Sequence, residues 1–200
     1  MTCFPGPGRP ALIVFVKEPR PGRVKTRLAG DIGRVEAAWW LRHRLSSLLR
    51  RVGRDPRWRT LLCVAPDAAA GGRAFPPEFP HMAQGGGDLG ARMRRALTAP
   101  PPGPVVLIGA DIPAIRAHHI ARAFALLGPR EAVFGPATDG GYWLIGLRRG
   151  ARPLPAGALA GVRWSSAHAL ADSRASLAPL SIGQADTLRD VDTAADLAPG

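Results

Sequence analysis

Short apolar runs of strand length alternate with stretches of helical periodicity along this chain. The clearest runs are residues 11–16, 58–65 and 105–109, which have the composition of buried strands. Residues 33–52 follow the first run and space their apolar side chains as a helix does when one face covers a sheet. This alternation is typical of βαβ units, so we predict an α/β domain with a mainly parallel sheet. We expect residues 105–109 to form its central strand.

The remaining segments fit the same plan, and 200 residues are enough for one hydrophobic core. We therefore predict a single domain over residues 1–200, with residues 1–9 as a disordered lead-in. Asp88 stands where it caps a following helix. The further predicted helices are 89–97, 114–127, 166–175 and a short one at 193–197; the further strands are 132–134, 142–147 and 177–182; the irregular segments are 66–80 and 148–164.

Features that mark secreted or membrane-bound chains are absent from the sequence. No apolar run approaches the length of a membrane span, and the first residues lack the charged start and apolar stretch of a signal peptide. The two cysteines, Cys3 and Cys63, are too few for a disulfide framework or a zinc site. We therefore expect a cytoplasmic protein.

Positive charge is concentrated in the first third of the chain. The formal net charge is +12, and residues 17–59 hold 13 Lys or Arg residues against four Asp or Glu residues. Nucleic-acid binding, binding of a small anionic substrate such as a nucleotide, and a solvated arginine-rich surface are all compatible with this charge. Aromatic residues are scarce, and no helix-turn-helix, zinc or RNA-binding pattern is present, which disfavours nucleic acid.

The most informative basic segment is residues 17–28, directly after the predicted first strand. It contains two prolines, one glycine and five cationic side chains, among them Lys17 and Lys25, the only lysines of the chain. Cationic groups around backbone amides are suited to binding a pyrophosphate, although the Walker spacing of glycines before a lysine is missing. A charged surface turn is the alternative. The candidate phosphate-binding residues are Lys17, Gly22, Arg23, Lys25, Thr26 and Arg27.

Carboxylates stand where several predicted elements end. Asp111 comes directly after the central strand, at the edge where open α/β sheets bind ligands. It suits a metal ligand, a helix cap, or both. Asp190 and Asp192 are two residues apart and face the same way on an extended segment. Since hard cations such as Mg²⁺ prefer oxygen ligands, we expect one of these two residues and Asp111 to share a metal.

Two glycine-rich segments are candidate binding loops. Residues 135–143 place Asp139 among three glycines, which allows a ligand to approach the backbone closely, although a tight hairpin is the alternative. Residues 84–93 lead into a helix behind Asp88, where binding of a sugar hydroxyl and a flexible turn fit the pattern equally well.

In combination, these motifs resemble one protein family. It is the DUF2064 group of glycosyltransferase-A-like proteins, some of which are assigned to arsenosugar biosynthesis as glycosyltransferases. The resemblance covers roughly residues 11–197, and the wider superfamily includes molybdenum cofactor guanylyltransferase and 2-phospho-lactate guanylyltransferase. The segments that carry the resemblance are Phe15–Leu28, Gln84–Arg92, Leu107–Pro113, Gly135–Tyr142, Trp164–Ser165 and Asp190–Thr193.

The resemblance implies a three-layer αβα, Rossmann-like fold of the nucleotide-diphospho-sugar transferase (GT-A) type. Such folds bind a nucleotide at the end of the first strand and a divalent metal, Mg²⁺ or Mn²⁺, through an aspartate after a central strand, which Asp111 matches. Gly109 stands where the usual Asp-x-Asp motif has its first aspartate, which gives Asp190 or Asp192 more weight as a metal ligand. On the same resemblance, Gly109 and Asp88 are assigned to nucleotide binding.

The resemblance also implies an activity. We expect a metal-assisted glycosyltransferase that moves a sugar from a nucleoside-diphosphate donor to a small-molecule acceptor. Lys25 is expected to stabilise the leaving phosphate, and Asp139 to contact or deprotonate an acceptor hydroxyl. A nucleotidyltransferase of the guanylyltransferase type, which releases pyrophosphate, is the first alternative, and a basic nucleic-acid-binding protein without enzymatic activity is the second. The residues assigned to the acceptor side are Gly140, Gly141, Tyr142 and Trp164.

Overall fold

A seven-stranded sheet forms the centre of the structure, a computed structural model that describes residues 9–150, 153–189, 191 and 193–197. The strands lie in the order β3-β2-β1-β4-β6-β5-β7, and β6 runs antiparallel to its two neighbours while the other pairs are parallel. The strands are β1 (Ala11–Lys17), β2 (Arg59–Ala65), β3 (His81–Ala83), β4 (Pro104–Gly109), β5 (Ala132–Pro136), β6 (Tyr142–Arg148) and β7 (Ile182–Gln184). The mainly parallel sheet with β4 in the middle is thus confirmed.

Helices cover both faces of the sheet. They are α1 (Thr26–Ile32), α2 (Arg34–Leu48), α3 (Leu89–Thr98), α4 (Ala117–Leu126) and α5 (Ala169–Ser176), with a π-helical turn at Leu49–Gly53 and short 3₁₀ turns at Asp67–Gly71 and Ala194–Leu197. Leu45 of α2 and Ile120 of α4 pack in one core with Val14 of β1. Met93 of α3 packs in a second core with Ile13. Since neighbouring residues of a strand point to opposite faces, these two cores lie on the two sides of the sheet, which confirms the three-layer αβα fold.

The structure corrects several of the element boundaries. The predicted strand over 177–182 is wrong, because residues 177–180 form turns in which Leu180 donates its amide to Leu177, and β7 begins only at Ile182. Strand β3 was not predicted, since its three residues are too short to show an alternation. The segment 17–28 is a loop only as far as Lys25, because α1 begins at Thr26.

The topology decides where the candidate residues meet. Because β1, β4 and β5 are parallel, their carboxyl ends lie at one edge of the sheet, together with the start of β6. Lys17 ends β1, Asp111 follows β4, and Asp139 lies in the turn between β5 and β6. No helix within the described part of the chain is long and apolar enough to cross a membrane.

Candidate functional site

A cleft of about 850 Å³ opens at the carboxyl edge of the sheet. It is lined by residues 15–17, 23–27, Leu41, Gln84, Leu89, Arg92, 109–111, Asp139 and 165–167. One wall is the loop after β1 together with α1 and α2. The facing wall is formed by the start of α3 and by the turns before β6 and before α5. Most of the predicted phosphate-binding residues and both Asp111 and Asp139 therefore line one cavity.

The basic loop forms the first wall. Its start is tied to β2, because Glu18 donates its amide to the Ala65 carbonyl over 2.6 Å. Gly22 has a φ of 74°, a left-handed conformation that glycine adopts without strain. Lys17 and Arg23 are exposed and have no hydrogen-bond or ion-pair partner among the residues that the structure describes. Two positive charges at this wall are therefore available to an anion.

Lys25 lies deeper in the cleft than the sequence suggests. Its ammonium group is 2.6 Å from Asp111 Oδ2 and donates to the Val191 carbonyl over 2.7 Å. The Lys25 side chain is 10% exposed, and its backbone has a left-handed φ of 45°. The ion pair was not predicted, because sequence patterns assigned Lys25 to phosphate and Asp111 to metal and did not place the two in contact.

The Lys25 ammonium lies between two oxygen atoms, Asp111 Oδ2 and the Val191 carbonyl oxygen. A carboxylate oxygen and a carbonyl oxygen both face one positive charge, and oxygen ligands of this type are those that Mg²⁺ and Mn²⁺ prefer. The predicted metal ligands Asp190 and Asp192 flank Val191 but lie outside the described residues. Within the described part of the chain, no group of three His, Cys, Asp or Glu side chains is arranged to hold a metal.

Gly109 leaves room for the Asp111 carboxylate. A Cβ atom added to Gly109 would lie 2.9 Å from Asp111 Oδ1, closer than such atoms normally approach. Gly109, the residue that departs from the Asp-x-Asp pattern, therefore lies directly against the Asp111 carboxylate. A side chain at position 109 would therefore require the Asp111 carboxylate to shift.

The facing wall is built around Asp139. Asp139 Oδ1 accepts the amide of Gly141 over 2.8 Å, which closes the turn before β6. Gly140 has a φ of 86°, and a Cβ added there would lie 2.5 Å from the Ala167 carbonyl oxygen. Only glycine therefore allows this turn to pack against the segment before α5. That segment includes Ser165, which also lines the cleft.

Six of the predicted site residues that the structure describes do not line the cleft: Gly22, Asp88, Gly140, Gly141, Tyr142 and Trp164. Tyr142 donates its hydroxyl to Met93 Sδ over 3.9 Å and accepts from Ser173 Oγ over 3.2 Å, and burial raises the pKa of this phenol. Trp164 packs on Tyr142 with the ring centres 6.5 Å apart. Asp88 caps α3 by accepting the Ala91 amide over 2.8 Å. Tyr142 and Trp164 therefore support the wall from behind.

The structure adds cleft residues that sequence reasoning had not assigned, among them Gln84, Arg92 and Ser165. Gln84 is buried, and its side-chain amide donates to the carbonyls of Val16 and Cys63, which joins the ends of β1 and β2. Arg92 and Ser165 reach the cleft from α3 and from the turn before α5. The glutamine directly before three glycines was a signal for Gln84, but its partners depend on strand pairing.

Comparisons with known proteins identify the family and the fold of the chain. The model of a family described as an uncharacterized protein conserved in bacteria, DUF2064, matches residues 48–166. A protein from Desulfovibrio desulfuricans, named as a candidate nucleotide-diphospho-sugar transferase, has 31% sequence identity and a TM-score of 0.80, over 94% of this chain and 84% of that chain. No curated protein matches the chain in sequence.

Two more distant structures share the fold alone. Rv0371c from Mycobacterium tuberculosis, solved as a complex with manganese, has 18% identity and a TM-score of 0.54 over 94% of this chain and 95% of that chain. The 4-diphosphocytidyl-2C-methyl-D-erythritol synthase from Anaerococcus prevotii has 9% identity and a TM-score of 0.52 over 94% of each chain. The chain belongs to the DUF2064 family and has a nucleotide-diphospho-sugar transferase fold.

Proposed function

We propose that the protein is a glycosyltransferase that moves a sugar from a nucleoside-diphosphate donor to a small-molecule acceptor. The observation that carries the proposal is the division of the cleft into two walls. One wall is cationic and suits a diphosphate, and the other presents Asp139, which suits a hydroxyl group. The likeness to a candidate nucleotide-diphospho-sugar transferase at 31% identity supports the same substrate class.

The donor is assigned to the basic wall. Lys17 and Arg23 are exposed at its rim, and Arg27 follows at the start of α1. Lys25 stands at the bottom of the cleft, at the carboxyl ends of β1 and β4. Diphosphate oxygens that enter between these groups meet positive charge on several sides, which is the usual arrangement for phosphate binding.

The transfer step needs a base and a stabilised leaving group. Asp139 accepts the proton of the acceptor hydroxyl, whose oxygen then forms the new bond to the anomeric carbon of the sugar. The bond between that carbon and the phosphate oxygen breaks, and the nucleoside diphosphate leaves with the electron pair. Lys25 and Arg27 stabilise the negative charge that grows on the leaving oxygen. Asp139 Oδ2 has no partner among the described residues and is therefore open to a hydroxyl group.

A divalent metal belongs to the same proposal. Asp111 and the Val191 carbonyl would hold it, with Asp190 or Asp192 as a further candidate ligand. The metal would replace the Lys25 ammonium between these two oxygens, and Lys25 would then turn toward the phosphate. When bound, it supplies charge that offsets that of the phosphate oxygens. The crystal of the Rv0371c protein with manganese supports a divalent ion in this fold.

A thermal-shift screen of nucleotides and nucleotide sugars with Mn²⁺ tests the donor site. A ligand at about 100 times its Kd raises the free energy of unfolding by about 2.7 kcal/mol. We expect this stabilisation to be lost in Lys25→Ala and in Asp111→Asn. Arg20→Ala is the matched control, because Arg20 lies in the same loop, pairs with Glu18 over 2.6 Å and does not line the cleft. Both variants binding like the parent would contradict the site assignment.

Product analysis separates the competing functions. Release of a nucleoside diphosphate from a nucleotide sugar supports glycosyl transfer, whereas release of pyrophosphate from a triphosphate supports the nucleotidyltransferase alternative. Affinity for DNA or RNA with a steep salt dependence would favour the nucleic-acid-binding alternative. If such binding survives in Lys25→Ala, it belongs to the basic surface and not to the cleft.

A further inference from the structure

The wall that faces the basic loop also carries a cation, Arg92. Its Nε donates to the Gly87 carbonyl over 2.9 Å, which holds the guanidinium in place. The two terminal nitrogens of Arg92 have no partner among the residues described, and the side chain lines the cleft. Its neighbours on α3 differ, because Arg94 donates to the Ala156 carbonyl and Arg95 to the carbonyls of Gln84 and Gly86.

Arg92 reaches the cleft from α3, whereas Lys17 and Arg23 reach it from the loop after β1. A Cβ added to Gly90 would lie 2.0 Å from the Leu159 carbonyl oxygen and 3.1 Å from the Trp164 ring, so the start of α3 is packed against the segment that leads to Ser165. The basic loop already offers Lys17 and Arg23 to a diphosphate, with Lys25 below them. A further guanidinium on the opposite wall therefore suits a second anion.

Ser165 is a second residue of this wall whose polar group has no partner among the described residues. It has a φ of 57°, which is uncommon for a residue with a side chain and is held here by its surroundings. Arg163 grips Asp172 through two hydrogen bonds of 2.8 and 2.9 Å, and Ser166 donates to the Arg163 carbonyl over 2.6 Å. Ser165 lines the cleft, and its hydroxyl has no partner in the described part of the chain.

We infer that the acceptor is a small hydroxylated anion. Its carboxylate or phosphate binds the terminal nitrogens of Arg92, and its reacting hydroxyl lies between Asp139 and Ser165. The inference rests on the proposed function, which it deepens by assigning the acceptor class. The turn that carries Asp139 packs on Ala167, so Asp139 and Ser165 belong to one wall. Leu89, which is 38% exposed beside Arg92, offers apolar surface to the carbon chain.

Matched acceptor pairs test this class. With the donor that the thermal-shift screen selects, glycerol 3-phosphate is compared with glycerol, and glycolate with ethylene glycol. We expect the anionic member of at least one pair to have a kcat/KM about tenfold higher or more, since a charge-assisted hydrogen bond contributes about 1.5–3 kcal/mol. Equal use of both members in each pair would overturn the inference.

Variants then locate the anion. Arg92→Gln should raise the KM for the anionic acceptor about 10- to 100-fold and leave the donor KM unchanged. Arg94→Gln removes the same charge two positions away and should change neither KM. A rise in the donor KM of Arg92→Gln would overturn the inference, because it would place Arg92 on the donor.

Binding measurements separate this inference from the proposed function. Calorimetry of glycerol 3-phosphate and glycolate against the nucleotide-saturated protein should show an Arg92-dependent site for at least one of them, whether or not sugar transfer occurs. Absence of binding for both, with donor hydrolysis intact, overturns the acceptor class alone. Absence of any bound nucleotide or nucleotide sugar overturns the proposed function. Ser165→Gly removes the hydroxyl without straining the backbone, and it should weaken transfer without lowering stability.

Discussion

One cavity lined with arginines lies at the amino ends of the parallel strands and another at their carboxyl ends. The arginines of the two cavities differ in whether the fold supplies their hydrogen-bond acceptors. At the amino edge, a cavity of about 360 Å³ is lined by Arg94, Arg148 and Arg149 among others. All three guanidinium groups donate to backbone carbonyls, Arg94 to Ala156, Arg148 to Gly128 and Arg149 to Pro100. Burial also lowers the pKa of Arg149, as expected for a charge held inside the fold.

At the carboxyl edge, several charges are not used by the fold. Lys17, Arg23 and the terminal nitrogens of Arg92 have no partners among the described residues, and all of them line the larger cleft. The comparison teaches that a count of basic residues does not locate a binding site in a chain with 27 of them. What separates structural from ligand-binding arginines is whether the fold already supplies their acceptors.

The largest expected effect is at Asp139. Asp139→Asn keeps an oxygen that can accept the Gly141 amide, so the turn should survive, but it removes the base. We expect transfer to fall by about 10²-fold or more, while the donor affinity stays within about a factor of two. Steady-state kinetics with donor binding measured separately checks this, and unchanged transfer would remove Asp139 from the chemistry.

Effects of intermediate size on stability or nucleotide affinity are expected from two variants, one at each edge of the sheet. Arg149→Met leaves the Pro100 carbonyl without its donor and should lower the free energy of unfolding by about 1–3 kcal/mol, with nucleotide affinity unchanged. Arg23→Met should leave stability within about 0.5 kcal/mol and weaken nucleotide binding about tenfold. Urea unfolding and nucleotide titration of both variants are the measurements. If both variants lose stability, or both lose nucleotide affinity, the arginines of the two cavities do not have the different roles assigned to them.

The smallest effect is expected at His119. This residue lies at the carboxyl edge of the sheet and stabilises the start of α4. His119 Nδ1 accepts the Arg116 amide over 3.1 Å at the start of α4. Burial lowers the pKa of His119, helped by His118, Arg116 and Arg122 and opposed by Asp186.

Because the unfolded chain takes up this proton more readily than the folded one, stability should fall slightly as the pH drops below the ordinary histidine pKa of about 6.5. The loss should be complete once the pH is below the lowered pKa of the folded state. His119→Gln should flatten this part of the stability–pH curve, measured by urea unfolding. A curve with the parent's slope would mean that another group titrates there.

Several parts of the fold could be predicted because they depend on local patterns. Strands β1 and β4 are continuous apolar runs buried on both faces, and α3 begins at a capping aspartate, Asp88. The shared edge of Lys17, Asp111 and Asp139 also followed, since parallel strands bring their carboxyl ends together. β7 was misplaced because apolar residues near Leu177 pack in the core from a turn and not from a strand.

The site itself was only partly predictable. Tyr142, the single tyrosine of the chain, was assigned to the acceptor side, yet its hydroxyl lies against Ser173 and Met93, behind the wall. Arg92 had no distinguishing mark among the 27 basic residues, because its open nitrogens are a property of its surroundings. The ion pair of Lys25 and Asp111 joins residues from two different strand ends, and no sequence spacing encodes that distance.

The sequence by itself determined the class of sheet, the edge at which the candidate site residues lie and the family to which the chain belongs. These follow from apolar runs, from loop composition and from ordered motifs, which are local properties of the chain. Only the tertiary structure decided which charges are engaged by the fold and which are open to a ligand. Hydrogen-bond partners such as the carbonyls at Val191, Gly87 and Pro100 come from distant segments, and they meet these side chains only after the sheet is assembled.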